Sequence, residues 1–320
     1  MKKAILLAAV CAALIGTNVQ AKKYKIAVIP KGTTHVFWKT VHAGAVKAAQ
    51  ENDVDIIWQG PLVESDRGEQ IKIIQNFISR RVDAICLAPL DNKAMVRPVK
   101  MAVKRKIPVI IFDSSLAWNG YTSFVATDNF QGGYLCGKLL GKCLNGKGRV
   151  IMMRYMVGSA STDEREKGFL KAMKEFKGIK LISTNQYAGA TAVTAQKKAQ
   201  SLLARFRGKF DGVYCPNESS TYGMLRALEI AKLAGKVKFV GFDTSKPLID
   251  AIKEGKLEGV AAQQAFMMGY KAVEAAVNKL KGKKVPKVID TGVMILTKAN
   301  LNDKKAQELL NPPLKKYLNE

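Results

Sequence analysis

The chain has 320 residues, 48% of them hydrophobic and 24% charged, enough for two modest domains, each with its own core. That composition excludes a disordered or simple-repeat protein. Its 52 basic and 26 acidic residues give a net charge of +26. The lysines are spread over nearly every predicted helix, with no run of five basic residues and no basic helix interleaved with stacking aromatics, so nucleic acid is not an expected partner.

Residues 1–21 read MKKAILLAAVCAALIGTNVQA, with a Lys2/Lys3 head, an apolar run from Ala4 to Gly16 and a small-residue exit at Val19-Gln20-Ala21. This is a secretory signal peptide, too short to span a bilayer, with cleavage expected after Ala21. Cys11 lies inside the apolar run and follows Val10 rather than a small residue, so a soluble exported protein is expected over a lipid-anchored one. The first strand, KIAVIP, leads through the polar loop KGTTH to a helix starting near Val36. In that helix Phe37, Val41, Ala45, Ala48 and Ala49 recur at three- and four-residue steps along one apolar face. Lys31, His35, Phe37 and Trp38 therefore sit between the carboxyl end of a strand and the start of a helix, the edge at which open α/β sheets bind ligands.

The pattern then repeats. A strand over 54–58 precedes a helix carrying Ile71, Ile74, Phe77 and Ile78; a strand over 82–88 precedes one carrying Met95, Val99, Ala102 and Val103; another strand follows over 107–112. Short continuous apolar strands alternating with helices of three to four turns argue for parallel sheets covered on both faces. The irregular SSLAWNG segment, a short strand in YTSFVA and a helix opened by NFQGG break the rhythm. A second series follows, with strands over 149–155, 180–184, 211–215, 237–242 and 257–263 and helices between them. A helix over 266–280 and two short strands, 285–290 and 292–296, complete it.

The two series match at their strand ends: KIPVIIFDSS (106–115) is answered by KVKFVGFDTS (236–245), and VDAICLAPLD (82–91) by FDGVYCPNES (210–219). The expected fold is α/β: two similar doubly wound parallel-sheet lobes whose strand ends face each other across a cleft.

Catalytic patterns are lacking. His35 and His42 are the only histidines, without a third ligand at fixed spacing, and no GxSxG, Walker loop or GxGxxG is present. No enzyme activity, metal or cofactor is expected. Cys86, Cys136, Cys143 and Cys215 have neither CxxC nor framework spacing, and Cys136 and Cys143 lie about 10 Å apart along one predicted helix. Free buried thiols are expected. Binding has more support. A polyol offers adjacent hydroxyls and weakly apolar C–H faces, held well by carboxylates, amides and aromatic rings. The strand ends supply Phe37, Trp38, Asp91, Asp113, Asn217, Glu218, Asp243, Gln263 and Gln264. Asp113, Asp243 and Asn217 could each also cap the helix that follows.

IAVIP with THVFW, VDAICLAPLD, IPVIIFD, TDNFQGG, EREKGF, CPNES with GMLRALE, VGFD and VAAQQ together make the chain resemble the ribose-type periplasmic binding proteins of bacterial ABC importers, which share their fold with the effector domains of lac-repressor-type regulators. The resemblance spans essentially the whole mature chain. It implies an N-terminal lobe of 22–126 plus 264–290 and a C-terminal lobe of 127–263 plus 291–305, joined by a three-segment hinge, then a tail of 306–320. It also implies a monomeric periplasmic protein that closes around a monosaccharide or polyol and delivers it to an ABC permease of the inner membrane.

Carried over by position, the ligand site comprises His35, Phe37, Trp38, Asp113, Ser114, Asp163, Asn217, Phe242, Asp243 and Gln263. The ribose-type pattern has Arg where Ser114 and Asp163 stand and Asn where His35 stands, which points away from ribose itself. Lys31, Asp113, Asp163-Glu164 and Pro216 resemble the pattern of binding proteins for the furanosyl signal autoinducer-2. The alternative implied is a periplasmic sensor that presents a sugar or autoinducer-2 to a receptor or kinase. A transcription regulator is not expected, because a signal peptide is read where its helix-turn-helix would precede the first strand.

Overall fold

A computed structural model describes residues 23–33 and 35–318. The expected signal peptide, its expected cleavage after Ala21 and Cys11 lie outside the described residues. The first lobe begins with β1 (Lys25–Ile29), α1 (Val36–Asn52), β2 (Asp55–Trp58), α2 (Arg67–Ser79), β3 (Ala84–Leu87), α3 (Val96–Lys104), β4 (Val109–Phe112) and β5 (Ser123–Ala126). The second lobe holds α4 (Asn129–Cys143), β6 (Lys147–Arg154), α5 (Ala160–Met173), β7 (Gly178–Tyr187), α6 (Ala192–Arg205), β8 (Gly212–Tyr214), α7 (Glu218–Ile230), β9 (Lys238–Phe242), α8 (Lys246–Lys253) and β10 (Gly259–Gln263). The chain then returns to the first lobe with α9 (Ala265–Leu280) and β11 (Val288–Asp290), and crosses again to β12 (Val293–Leu296). It ends in α10 (Lys304–Leu310) and α11 (Leu314–Leu318).

The two sheets share one strand order. Their strand orders are β11-β5-β4-β3-β1-β2 and β7-β6-β8-β9-β10-β12, so in each the first strand lies between the second and the third. All pairings are parallel except β10 with β12. This order creates a switch point beside β1 in one lobe and β6 in the other, where successive connections leave on opposite faces and open a crevice at the strand ends. Passages between the sheets occur at 127–128, at 264 and at 291–292.

Apolar runs hold each sheet between helices. In the first lobe, Ile26 and Val28 face α1 and α9, with Val41, Ala45, Met268 and Ala272 packed against them. Ala27 and Ile29 face the other way, toward Ile73, Phe77 and Val99 of α2 and α3. This is the period-2 alternation of a strand buried on both sides; each fully buried Ile, Leu or Phe contributes about 1.5–3 kcal/mol. Close helix contacts fix the orientation of the site. A Cβ on Gly133 of α4 would lie 1.8 Å from the Arg165 carbonyl, and one on Gly168 of α5 2.0 Å from that of Phe130, so both positions must be glycine for α4 and α5 to meet. Cys86, Cys136 and Cys215 are buried free thiols and Cys143 is half-buried. Burial alone pushes the Cys86 thiol far above its usual range.

The C-terminal segment spans both lobes rather than following one. Leu301 and Ala306 are buried in the second-lobe core, with Leu309 and Leu310 against it. Beyond Pro312-Pro313, α11 packs on α1 of the first lobe, and the Tyr317 ring lies 5.8 Å from that of Phe266.

Candidate functional site

Nine of the residues read from sequence converge on one cavity: Lys31, His35, Phe37, Trp38, Asp113, Asn217, Glu218, Asp243 and Gln263. They arrive from different strand ends. Lys31 follows β1, Asp113 follows β4, Asn217 and Glu218 follow β8, Asp243 follows β9 and Gln263 closes β10. The start of α1 contributes His35, Phe37 and Trp38. Asn217 caps α7 through its neighbour in a reciprocal box: its Oδ1 accepts from Ser220 N, and Ser220 Oγ accepts from Asn217 N. The cap locks the loop that presents Glu218.

The other five predicted residues lie outside the lining, among them Gln264 at the N-cap position of α9. Asp91 accepts from the N–H groups of Lys93 and Ala94 and pairs with Arg67 Nε at 2.9 Å. It is a turn-forming carboxylate at the rim. Ser114 is buried, and its Oγ accepts from Ser161 N across the cleft. Asp163 is half-exposed and 3.6 Å from Arg154. Phe242 is the floor under Arg165, whose guanidinium lies 3.9 Å over its ring.

Six further residues complete the lining: Glu64, Tyr155, Ser159, Ser161, Thr162 and Arg165. Arg165 answers the exchange of Arg for Asp163. One turn of α5 carries Ser161, Thr162, Arg165 and Glu166 to its buried face while Asp163 turns outward, so the cationic fork is present two residues along. The spacing 161, 162, 165, 166, 169 is a helical stripe in the sequence itself, and it was the readable signal for Arg165. Tyr155 ends a predicted strand, as several of the other lining residues do. Glu64 had no such signal; only the fold puts it beside Trp38.

Ion pairs organise the cavity. Lys31 Nζ lies 2.6 Å from Asp113 Oδ2, with both side chains buried. Arg165 donates from Nε to Asn129 Oδ1 and from Nη1 to the Pro216 carbonyl, and lies 3.7 Å from Asp243 Oδ2. Asp243 also accepts from Gln263 Nε2 at 2.6 Å and from Glu218 N at 3.0 Å. Glu64 is a hub: Oε1 takes Trp38 Nε1 at 2.8 Å and lies 3.2 Å from His35 Nδ1, while Oε2 accepts from the Tyr155 hydroxyl at 3.0 Å. Burial works against both charges of that pair. The hydrogen bond and charge of Glu64 nevertheless lift His35 to about 9, and His35, Lys31 and Trp38 hold Glu64 down to about 2. Burial raises the Asp243 carboxyl, with Arg165 opposing it.

Several of these bonds join the lobes directly. Tyr155 to Glu64 and Lys31 Nζ to Ser161 Oγ do so within the cavity. Arg67 to the Val157 carbonyl and Asn92 N to the Gly158 carbonyl do so at the rim. The cavity they enclose is about 30 Å3, room for one or two waters. A wider space of about 670 Å3 opens beside it between α1, the 263–267 passage and the C-terminal segment, and shares Phe37, Asp243 and Gln263 with it. The narrow cavity is the better candidate, because the buried charges converge there. Buried acceptors without a hydrogen-bond partner also line it: Gln263 Oε1, Ser159 Oγ and Asp113 Oδ2, the last held only by its ion pair with Lys31.

Residues 26–284 match the periplasmic binding protein domain family. Over 287 residues the chain is 31% identical to the ribose import binding protein RbsB of Salmonella typhimurium, covering 89% of this chain and 95% of that one. Two solved structures superpose on nearly the whole fold. A carbohydrate-transporter solute-binding protein from Agrobacterium radiobacter in complex with D-arabinose has a TM-score of 0.87 at 32% identity, over 91% of this chain and 100% of that one. An ABC-transporter solute-binding protein from Agrobacterium vitis with bound D-fucose has a TM-score of 0.86 at 35% identity, over 90% and 100%.

Proposed function

Because the chain belongs to the periplasmic binding protein family, we propose that it captures a monosaccharide or related polyol between its lobes and delivers it to an ABC import permease. The observation that carries this reading is the convergence of Lys31, Asp113, Asn217, Asp243 and Gln263 from the strand ends of both lobes, and of Arg165 from α5, on one cavity also lined by the rings of Phe37 and Trp38. Carboxylates and amides accept and donate to adjacent hydroxyls, and the rings meet C–H faces. The Salmonella typhimurium relative is an import binding protein, which favours the importer reading over a sensor.

Capture works by hinge closure. With the lobes apart, each contributes half of the hydrogen-bonding set. A ligand touching both halves stabilises the closed form by its differential affinity for that form, and the permease reads the closed form. A cavity of about 30 Å3 is far smaller than a monosaccharide, so entry requires the lobes to part and the Tyr155–Glu64 and Lys31–Ser161 bonds to break. The chain acts as a monomer in the periplasm, and its chemistry is binding without turnover.

The test is calorimetric titration of the mature protein against pentoses, hexoses, inositols, polyols and autoinducer-2. One of them is expected to bind and to stabilise the fold by about 2.7 kcal/mol at a ligand concentration one hundred times Kd, which raises the melting midpoint. Absence of heat and of any midpoint shift across the panel would remove the solute-binding reading.

A further inference from the structure

The charge balance of the cavity narrows the ligand. Three basic side chains line it, and each already faces an acid: Lys31 with Asp113 at 2.6 Å, His35 with Glu64 at 3.2 Å, Arg165 with Asp243 at 3.7 Å. A fourth acid, Glu218, lines the same space, and among the described residues no cationic side chain stands within ion-pair distance of it. Glu218 is not a mobile surface group. It is the first residue of α7, its N–H is held by Asp243 Oδ2, and the Asn217 cap fixes the loop before it. The same Asp243 takes Gln263 Nε2 on its other oxygen, which leaves Gln263 Oε1, buried and without a partner, as a second acceptor lining the cavity.

Such a grouping is unfavourable on its own. A carboxylate partly withdrawn from water, as Glu218 is, gains from a counter-charge, and a buried amide oxygen needs a donor. Burial accordingly pushes the Glu218 carboxyl above its usual range, with the His35 charge holding it back. Neutral hydroxyls would supply donors but no charge. A ligand ammonium would supply both, with three N–H donors for the two acceptors. The spare donors of Lys31, Arg165 and Asn217 would remain for hydroxyl oxygens elsewhere on the same molecule.

We propose that the site is built for an amino sugar or amino polyol, with its protonated amine seated against Glu218 and Gln263 Oε1 and its hydroxyls against the remaining lining groups. This rests on the solute-binding reading and sharpens it. It also predicts rejection of acidic sugars, whose carboxylate would meet four carboxylates at close range.

The experiment is a calorimetric comparison of matched pairs on the mature protein. Glucosamine, galactosamine, mannosamine and 1-amino-1-deoxysorbitol are titrated beside glucose, galactose, mannose and sorbitol, together with the N-acetylated amines. At least one amine should bind tenfold or more tighter than its neutral parent, and N-acetylation, which removes the charge, should erase that advantage. In Glu218→Gln, which keeps shape and hydrogen bonding, the ratio should fall toward one. Neutral sugars binding as well as or better than every amine would overturn the proposal and leave the solute-binding reading standing. An amine preference that survives Glu218→Gln would overturn the assignment to this carboxylate. Binding of neither class in this panel or in the broader one would overturn both readings.

Discussion

Asp113 and Asp243 occupy the same place in the two lobes: each follows the fourth strand of its sheet, and each has a positive φ, 60° and 68°. Each also donates its N–H to the next strand, to Val125 O at 3.0 Å and to Ala261 O at 2.8 Å. A non-glycine residue in this left-handed region costs about 1–2 kcal/mol, and such strain persists where the surroundings over-determine it. Here it turns both carboxylates out of the sheets and into one cavity. Asp113 and Asp243 do not N-cap the helices that follow them; Asp113 pairs with Lys31, and Asp243 bridges Arg165, Gln263 and the start of α7.

Asp113→Ala is therefore expected to abolish ligand binding and to weaken the fold as well. Removing one partner of a buried pair leaves Lys31 uncompensated, at a cost of about 3–5 kcal/mol. The double variant Lys31→Met/Asp113→Leu should recover most of that stability without recovering binding. Urea unfolding of both variants checks this, and an Asp113→Ala midpoint equal to that of the wild type would contradict it.

The His35–Glu64 pair gives stability a defined pH window. His35 is raised from 6.5 to about 9, so its contribution is complete below 6.5 and is lost as pH rises toward 9. Glu64 is lowered from 4.5 to about 2, so its contribution is complete above 4.5 and is lost as pH falls toward 2. The pair should contribute most between those limits. Melting midpoints of the wild type and of His35→Gln, measured from pH 4 to pH 9 (about the range these shifts define), should differ most near pH 5.5, roughly mid-window, and converge on the alkaline side. A constant difference would mean that His35 does not carry the charge.

Tyr155→Phe removes one hydroxyl that bonds to Glu64 from the opposite lobe. Losing a hydrogen bond to a charged group costs about 1.5–3 kcal/mol, part of it in the closed form alone. Ligand affinity should fall roughly tenfold, chiefly through faster release. Stopped-flow dissociation with unchanged rates would show that the bond plays no part in closure.

Gly158 has φ +93°, and a Cβ there would lie 2.4 Å from Asp91 Oδ2 of the other lobe. Gly158→Ala thus strains the backbone and wedges the rim apart. The expected result is weaker ligand binding and a larger radius of gyration with ligand present, read by small-angle scattering. A variant as compact as the wild type at saturating ligand would refute the wedge.

Truncation after Asn311 removes α11, which rests on the first lobe while α10 is anchored in the second. Without this strap, unliganded protein should open more widely in scattering and bind ligand less tightly, with the second-lobe core retained. Identical scattering and affinity would show that the strap does not restrain the hinge.

Much of the site was legible because strand ends in a doubly wound sheet all deliver to one edge. Lys31, Asp113, Asn217 and Asp243 could be read from the short apolar runs before them. Asp163 illustrates where position in a motif and position in the fold diverge. Matching a motif residue to an Arg pointed at 163, whereas the helical period turns 163 outward and brings 165 in. The tail showed no function in sequence, since Leu309, Leu310 and Tyr317 gain meaning only from the surfaces they reach.

From the sequence alone came the two matched βα series, the strand-end carboxylates and the apolar periodicities that bury each sheet, because those depend on local spacing. Which charges pair was decided only by the tertiary structure. Glu64 meeting Trp38, His35 and Tyr155, and Glu218 left without a cation, result from side chains brought together over long sequence separations. Electrostatics in a closed, low-dielectric cavity depend on distance in space, and no repeat along the chain encodes it.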